Sequence, residues 1–419
     1  MITVTEAETC ILNLVQPFEP DRDRDRIALT DALGRVLARD VASAMDFPHF
    51  DNSAMDGYAL RYEDLAQTTK LSIVDADIPA GTGVPKPLER GQCARIFTGG
   101  MLPEGADTVV MQEDAERDGN SLNLKIEPQQ GDYVRRRGEF YRAGSTLIPS
   151  GARISASELG VLAAAQCKIV DVYRQPVVAI LSTGSELVDL YADRSLTPGQ
   201  IIDSNQYALT ALVKQAGAIA YPIGIVPDRQ EELLAAITRA IAVADVVISS
   251  GGVSVGDYDY VDRLLDRIGA DICIRACAIK PGKPLTVATI PARSQAEAPD
   301  RKSQRSKLYF GVPGNPASAM VCFWRFVRGA IAKLGGAEKS HWHPKFIKAI
   351  ALGDLHAQGR RETYLWGNLS LSDGYWQFTP ASNYSSGNPV SLAGTNGLAV
   401  LRVNQTYVPA GDEVLVMSV

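Results

Sequence analysis

The chain has no apolar run approaching the ~18 residues that cross a bilayer, so no membrane-spanning helix is expected. Its opening, Met1-Ile-Thr-Val-Thr-Glu6, has no basic stretch leading into an apolar one, and no export signal is read there. Positive charge is not in excess. Lys and Arg total 42 against 48 Asp and Glu, a formal charge of −6. That balance argues against a general nucleic-acid surface, and it leaves any anionic ligand to be held by local donors. Cysteine is sparse, with six residues at 10, 93, 167, 273, 277 and 322, and only Cys273 and Cys277 are near neighbours. The four histidines (49, 341, 343 and 356) are not spaced to complete a zinc site with them. Free thiols in a reducing cytoplasm are the plain reading.

What is present is globular: 46% hydrophobic and 21% charged residues over 419 positions, enough for about three domains. Residues 3–16 place Val4, Ala7, Ile11, Leu14 and Val15 on one helical face, and Thr3 with Glu6 has the form of a capping box. The alternating charges of 21–26 read as a solvated loop, and a short helix is expected over 32–38. From 46 to 141, Gly and Pro punctuate short strand patterns at 71–74, 93–97 and 108–111. Helical spacing returns at 155–166. The sequence therefore predicts an inserted β domain (46–141) inside a discontinuous connecting domain (1–45 and 142–176).

Strand and helix patterns then alternate across 177–335, with strands at 177–181, 218–225, 246–249, 271–278 and 308–311. Helices are expected at 205–215, 229–242, 260–268 and 317–334. That order implies a parallel, doubly wound α/β sheet. Residues 291–307, without aromatic or β-branched side chains, read as a surface loop. A C-terminal β barrel is expected over 340–419, on strand patterns at 363–366, 375–378, 398–403 and 413–417.

Ligands of open α/β sheets bind beyond the carboxyl ends of the strands. Four loops leave strands there: 182–186, 249–259, 280–284 and 312–316. The second contains Ser249, Gly251, Gly252, Ser254 and Gly256, whose backbone and hydroxyl donors suit a phosphate. It is not a nucleotide P-loop, because Gly256 is followed by Asp257 and Tyr258. Gly184 opens the first loop. Lys280 and Lys283 carry the charges of the third, and Pro313, Gly314, Asn315 and Pro316 form the fourth. Pro316 is placed to begin a helix whose N-terminus favours an anion. Glu186, Asp228 and Asp259 are the candidate metal ligands, since carboxylates beside a phosphate site suit Mg²⁺. Asp228 also stands where it would cap the following helix, and both roles remain open. Outside the sheet, Asp56 beside Gly57 and Thr98 in a glycine turn read as turns, and Arg135–Arg137 before Glu139 as a solvated cationic face.

Taken together, FDNSAMDGYA, TGGMLPEGADTVVMQE, VRRRGE, STGSEL, SSGGVSVGDYDY, IKPGKP and VPGNPASA resemble the motifs of the molybdopterin molybdenumtransferase family, the MoeA type, also seen in the gephyrin E domain. The resemblance runs over nearly the whole chain. It implies a connecting domain, an inserted β domain, a molybdopterin-binding α/β domain and a C-terminal barrel. It further implies a homodimer in which Asp56 and Thr98 of one subunit face the crevice of the other. The implied reaction takes adenylylated molybdopterin and molybdate, transfers the metal with Mg²⁺ assistance, hydrolyses the adenylate linkage and releases AMP with the molybdenum cofactor. A molybdopterin-adenylylating enzyme and molybdoenzyme acceptors are the implied partners. Carried over by motif, Asp56, Thr98, Glu186, Asp228, Asp259, Lys280, Pro313 and Pro316 are the site. Two positions depart from the family pattern: Phe140 where an acidic residue is common, and Ala276 where a lysine is common. A molybdopterin adenylyltransferase and a non-catalytic cofactor carrier or scaffold are the alternatives.

Overall fold

The computed structural model describes residues 1–193, 195–252, 258–292 and 305–419, without the side chains of 258–261. The chain divides into two compact units, one comprising 1–39, 150–159 and 169–419, the other 40–149 and 160–168.

The first unit is built on a six-stranded sheet in the order Ile219–Val226, Val177–Thr183, Val246–Ser250, Lys307–Val312, Thr286–Ile290, Asp271–Ile274. The first four strands are parallel, as the alternating pattern predicts. Thr286–Ile290 runs antiparallel to both of its neighbours, Lys307–Val312 and Asp271–Ile274, so the sheet is mixed and not wholly parallel. The difference comes from Thr286–Ile290, a strand absent from the sequence reading, which pairs antiparallel with Lys307–Val312. Side chains alternate across the sheet with period two. Val178, Ile180, Val246, Ile248 and Phe310 face a core shared with Leu209, Val213 and Val321, from the helices Ser204–Gln215 and Pro316–Cys322. Ala179, Leu181, Val247 and Tyr309 face the opposite core, against Leu233, Ile237 and Leu264 of Gln230–Val243 and Tyr258–Arg267. Helices thus cover both faces.

The helix expected over 317–334 is continuous in direction but holds a π-helical turn, Phe323–Val327, between Pro316–Cys322 and Arg328–Leu334. The helix expected at 32–38 does not form. A 3₁₀ turn at Leu29–Asp31 is followed by Gly34 at φ +77°, and Val36 and Leu37 then bridge to Arg153 and Val172 as extended chain. Left-handed backbone at a glycine ends a helix.

At the C-terminal end of the first unit, Phe346–Ala351 pairs with Tyr375–Pro380 and Glu413–Ser418, and Gly397–Leu401 pairs with Glu413–Ser418 and Glu362–Ser372. Glu362–Ser372 also pairs with Tyr375–Pro380, which closes the ring as a barrel. The short strand Ile279–Lys280 adds to it in parallel beside Glu362 and Thr363.

The second unit holds a six-stranded sheet in the order Thr108–Met111, Gly57–Leu60, Gln92–Ile96, Lys70–Ile73, Ser121–Leu124, Ala115–Asp118. Tyr58, Leu60, Leu71, Val110 and Leu122 fill one core; Ala59, Ile78, Ile96 and Val109 fill another. No helix among the described residues is long and apolar enough to cross a membrane.

Candidate functional site

Three of the four glycine loops meet at the carboxyl edge of the sheet, and the lysine turn reaches the same crevice only through Pro284. Gly184, Glu186, Asp228, Gly251, Gly252, Pro313, Gly314, Asn315 and Pro316 all line one crevice of about 770 Å³. Glycine is required here by contact. Gly251 sits at φ +89°, and a Cβ on it would stand 2.3 Å from the Thr183 carbonyl oxygen. A Cβ on Gly314 would meet the Gly251 Cα at 3.5 Å, so the two loops approach backbone to backbone. A Cβ on Gly184 would run into the Glu186 carboxylate at 2.6 Å. The Gly251 N–H donates to the Val312 carbonyl (3.1 Å) and is committed to holding the loops together.

Two residues that the sequence reading missed organise this floor. Buried Asn205 donates through Nδ2 to Ser250 Oγ and to the Gly314 carbonyl, both at 2.7 Å, and so ties the second loop to the fourth. Asp203, 2% exposed, caps the helix Ser204–Gln215 by accepting the Gln206 N–H at 3.1 Å, while its Oδ2 has no partner among the described residues. The signal was legible: Asp-Ser-Asn directly after the short strand Ile201–Ile202 is an N-cap pattern at a strand-to-helix turn.

Asp228 does not cap the helix Gln230–Val243, whose N-cap Arg229 makes no side-chain cap bond. Its Oδ2 instead accepts the Ser185 N–H at 3.2 Å, which holds the first loop over the crevice. Glu186 and Asp228 therefore flank one space. Asp259 lies in the first turn of Tyr258–Arg267, but its side chain lies outside the described residues, as do Ser254, Gly256 and Asp257. No cluster of three or more His, Cys, Asp or Glu side chains suited to a metal occurs among the described residues.

Ser249 does not reach the crevice. It is buried with its hydroxyl 2.5 Å from Tyr309 Oη, on the far face of the sheet from Ser250. Nor does the start of the helix after Pro316 offer a free set of donors, since the Ala317 N–H goes to the Ser386 carbonyl (3.1 Å) and the Ala319 N–H to the Asn315 carbonyl (3.0 Å).

Lys280 and Lys283 line a separate cavity of about 280 Å³. They share it with Arg361 and Thr363 of the barrel and with Ser318, Tyr384 and Ser386, and with no acidic residue. Arg361, whose guanidinium donates to the Ile279 carbonyl (3.1 Å), gave no sequence signal because it comes from the barrel. The two cavities adjoin. Pro284 lines both, and Ser386 of one is followed by Gly387 of the other.

In the second unit Asp56 and Thr98 are brought together. Asp56 Oδ1 accepts both the Thr98 N–H and its hydroxyl at 2.8 Å. The Thr98 amide first and its hydroxyl second hold the exposed Asp56 carboxyl below its ordinary range, with Arg95 adding to the effect against slight burial. Gly57 permits the turn, since a Cβ there would lie 1.9 Å from the Val110 carbonyl oxygen. Two of the three arginines of the cationic run are paired: Arg136 with Asp51 (3.0 Å), Arg137 with Asp46 (2.7 Å). Glu139 accepts the Arg136 N–H, and Phe140 leans on Phe47 with ring centroids 5.8 Å apart. Arg275 is held by Asp262 at 2.7 Å and does not stand in for a lysine at 276.

Comparison with known proteins accords with this arrangement. Three family models match in order: "MoeA N-terminal region (domain I and II)" at 2–165, "Probable molybdopterin binding domain" at 179–333 and "MoeA C-terminal region (domain IV)" at 348–419. The chain is 49% identical to a molybdopterin molybdenumtransferase from Nostoc sp., over 100% of this chain and 94% of that protein. It is 34% identical to one from Haemophilus influenzae, over 85% and 83%. A molybdopterin biosynthesis MoeA protein from Pyrococcus horikosii superposes with a TM-score of 0.78 at 27% identity, covering 100% of this chain and 99% of that one. With identity of this order sustained from end to end, the chain belongs to the molybdopterin molybdenumtransferase family.

Proposed function

We propose that this protein is a transferase of molybdenum cofactor biosynthesis that inserts molybdate into adenylylated molybdopterin and releases AMP. The observation that carries the reading is the adjacency, across Pro284, of a carboxylate-lined crevice with a glycine floor and a cavity lined by three cations and no acid. The first suits a bulky phosphorylated ligand approached by backbone. The second suits a compact dianion such as molybdate, or a phosphate group.

Glu186 and Asp228 would hold Mg²⁺, which favours one or two carboxylates with phosphate and water as the remaining ligands. When bound, that ion supplies charge neutralisation at the adenylate phosphate. The protein's own residues position the ligand. Gly251 and Gly314 keep the floor free of side chains, Asn205 fixes their separation, and Lys280, Lys283 and Arg361 gather the oxyanion. Water breaks the phosphate linkage, AMP departs, and no serine or cysteine nucleophile is required.

The same reading includes a cytoplasmic homodimer in which Asp56 and Thr98 of one subunit complete the crevice of the other. The preordered, exposed Asp56–Thr98 pair supports it. It also includes a four-part division into a connecting domain (1–45 and 142–176), an inserted β domain (46–141), an α/β domain (177–335) and a barrel (340–419). The order of the three matching family models supports that division.

The test is molybdate-dependent AMP release from adenylylated molybdopterin, with and without Mg²⁺. Release that needs both is expected. No release above buffer would favour a carrier, and AMP-linked product accumulating from molybdopterin and ATP without molybdate would favour an adenylyltransferase.

A further inference from the structure

A third cavity, of about 330 Å³, lies in the first unit and shares no lining residue with the crevice or the lysine cavity. Its apolar wall is made by Leu212, Phe323, Trp324 and Ile331, and its charged rim includes Arg153, Arg328 and Lys345. No aspartate or glutamate lines it, although the chain as a whole carries a formal −6; Val419, the last residue of the sequence, lies in its lining.

Arg328 is the informative residue. It is half-buried, and unlike Arg174, matched by Asp23 and Asp245, and Arg325, matched by Glu8, it has no carboxylate partner among the described residues. Arg328 makes no ion pair among the described residues, and its one hydrogen bond is a long 3.4 Å donation to the Ser418 carbonyl. Burial, with nothing opposing it, lowers its pKa. A desolvated guanidinium without a counter-charge is unfavourable, and an anion supplied from solution would relieve it. Trp324, 7% exposed, and half-buried Tyr173 also line the cavity, and aromatic surface accepts a flat partner.

We infer that this cavity binds a small organic anion with a flat apolar body, an aryl or heteroaryl carboxylate, sulfonate or phosphate, its charged end on Arg328 and its ring against Trp324 and Tyr173. The volume lies at the lower end of the range for small-molecule sites.

The experiment titrates the full chain with 8-anilino-1-naphthalenesulfonate, an aryl sulfonate, and follows its fluorescence. One saturable site is expected, weakened at least about tenfold in Arg328→Met through loss of a charge-assisted hydrogen bond. Ala332→Phe, which fills the cavity and leaves the charge in place, should weaken it similarly, whereas Asp228→Ala in the crevice should leave it unchanged. Arg328→Met should melt no lower than the parent without probe, because it removes an unpaired charge. The saturating probe should raise the melting temperature of the parent and of Asp228→Ala more than that of either cavity variant. Absence of saturable binding, equal affinity in the parent and both cavity variants, or loss on Asp228→Ala in their place would overturn the assignment. Should Arg328→Met fail to fold, the Ala332→Phe arm decides the matter.

Discussion

Replacing Asn205 tests whether the crevice is held together by one side chain. Its Nδ2 donates two 2.7 Å hydrogen bonds in a buried setting, to Ser250 Oγ and to the Gly314 carbonyl. Asn205→Ala leaves both acceptors without that donor, at about 1–3 kcal/mol for each buried group. Alanine is the better helix former in the first turn of Ser204–Gln215, which returns about 0.5 kcal/mol. The net loss expected is roughly 1.5–5.5 kcal/mol, localised to the loops that Asn205 joins. Asn205→Asp is the sharper variant, because it keeps the shape and turns an acceptor oxygen toward the Gly314 carbonyl. It should cost more than alanine despite the smaller change in volume. Denaturant unfolding gives the stability and amide exchange at 250–252 and 314 gives the location, while AMP release should fall in the same order. If Asn205→Asp is milder than Asn205→Ala, or if both lie within about 0.5 kcal/mol of the parent, the tie does not hold the crevice.

Gly251→Ala should destabilise by roughly 2–5 kcal/mol, since φ +89° strains any L side chain and the added Cβ meets the Thr183 carbonyl at 2.3 Å; unchanged denaturant unfolding would contradict this. Asp245→Asn should cost about 3–5 kcal/mol by breaking the buried, bidentate pair with Arg174 at 2.7 Å. Burial alone would raise the Asp245 carboxyl, but the Arg174 bonds and charge, the Val177 N–H and Lys307 outweigh it and hold it low. Its stabilisation is therefore complete above the ordinary carboxylate range and lost as pH falls through that range toward the depressed value, and an acid-unfolding curve of Asp245→Asn should lack that component. Asp56→Ala should reduce AMP release by about 100-fold or more while the thermal midpoint holds, because the side chain is exposed; retained release would remove Asp56 from the site. Ser386→Asp keeps an acceptor for Asn315 Nδ2 but adds negative charge beside Lys280 and Lys283, so the molybdate needed for half-maximal release should rise about tenfold at low salt and less at high salt.

Local patterns were the most legible part of the sequence. The capping box forms as read, with the Thr3 N–H donating to Glu6 Oε2 at 2.8 Å and the Glu6 N–H to Thr3 Oγ1 at 3.2 Å, because every partner lies within one turn. The convergence of 184, 251–252 and 313–316 was legible because each follows a strand of one parallel set. What failed needed pairing information. Thr286–Ile290 joins the sheet by antiparallel pairing with Lys307–Val312, a choice that an expected strand–helix alternation does not contain. Ser249 and Ser250 are adjacent on one strand and point to opposite faces, so a one-residue difference decides which serine lines the crevice. Asn205 was missed because a single amide in a helix looks like surface until two loops are seen to converge on it.

The lysine turn shows why sharing a sheet edge did not mean sharing a cavity. Immediately before Pro281 the chain makes two residues of strand, and these register with the barrel: Ile279 opposite Glu362, Lys280 opposite Thr363. The Glu362 N–H donates to the Ala278 carbonyl at 3.0 Å, and Arg361 donates to the carbonyl of Ile279. The turn is thereby pulled off the sheet edge toward the barrel, and Arg361 comes with it. Had Lys280 and Lys283 opened into the crevice beside Glu186 and Asp228, the opposite charges would have paired. Carboxylates so engaged lose capacity for a metal, and lysines so engaged lose capacity for an oxyanion. A strip of backbone at Pro284 and 386–387 lets acceptors and cations sit as neighbours without neutralising one another. That separation supports the proposed reaction, in which a phosphorylated organic substrate meets a free dianion.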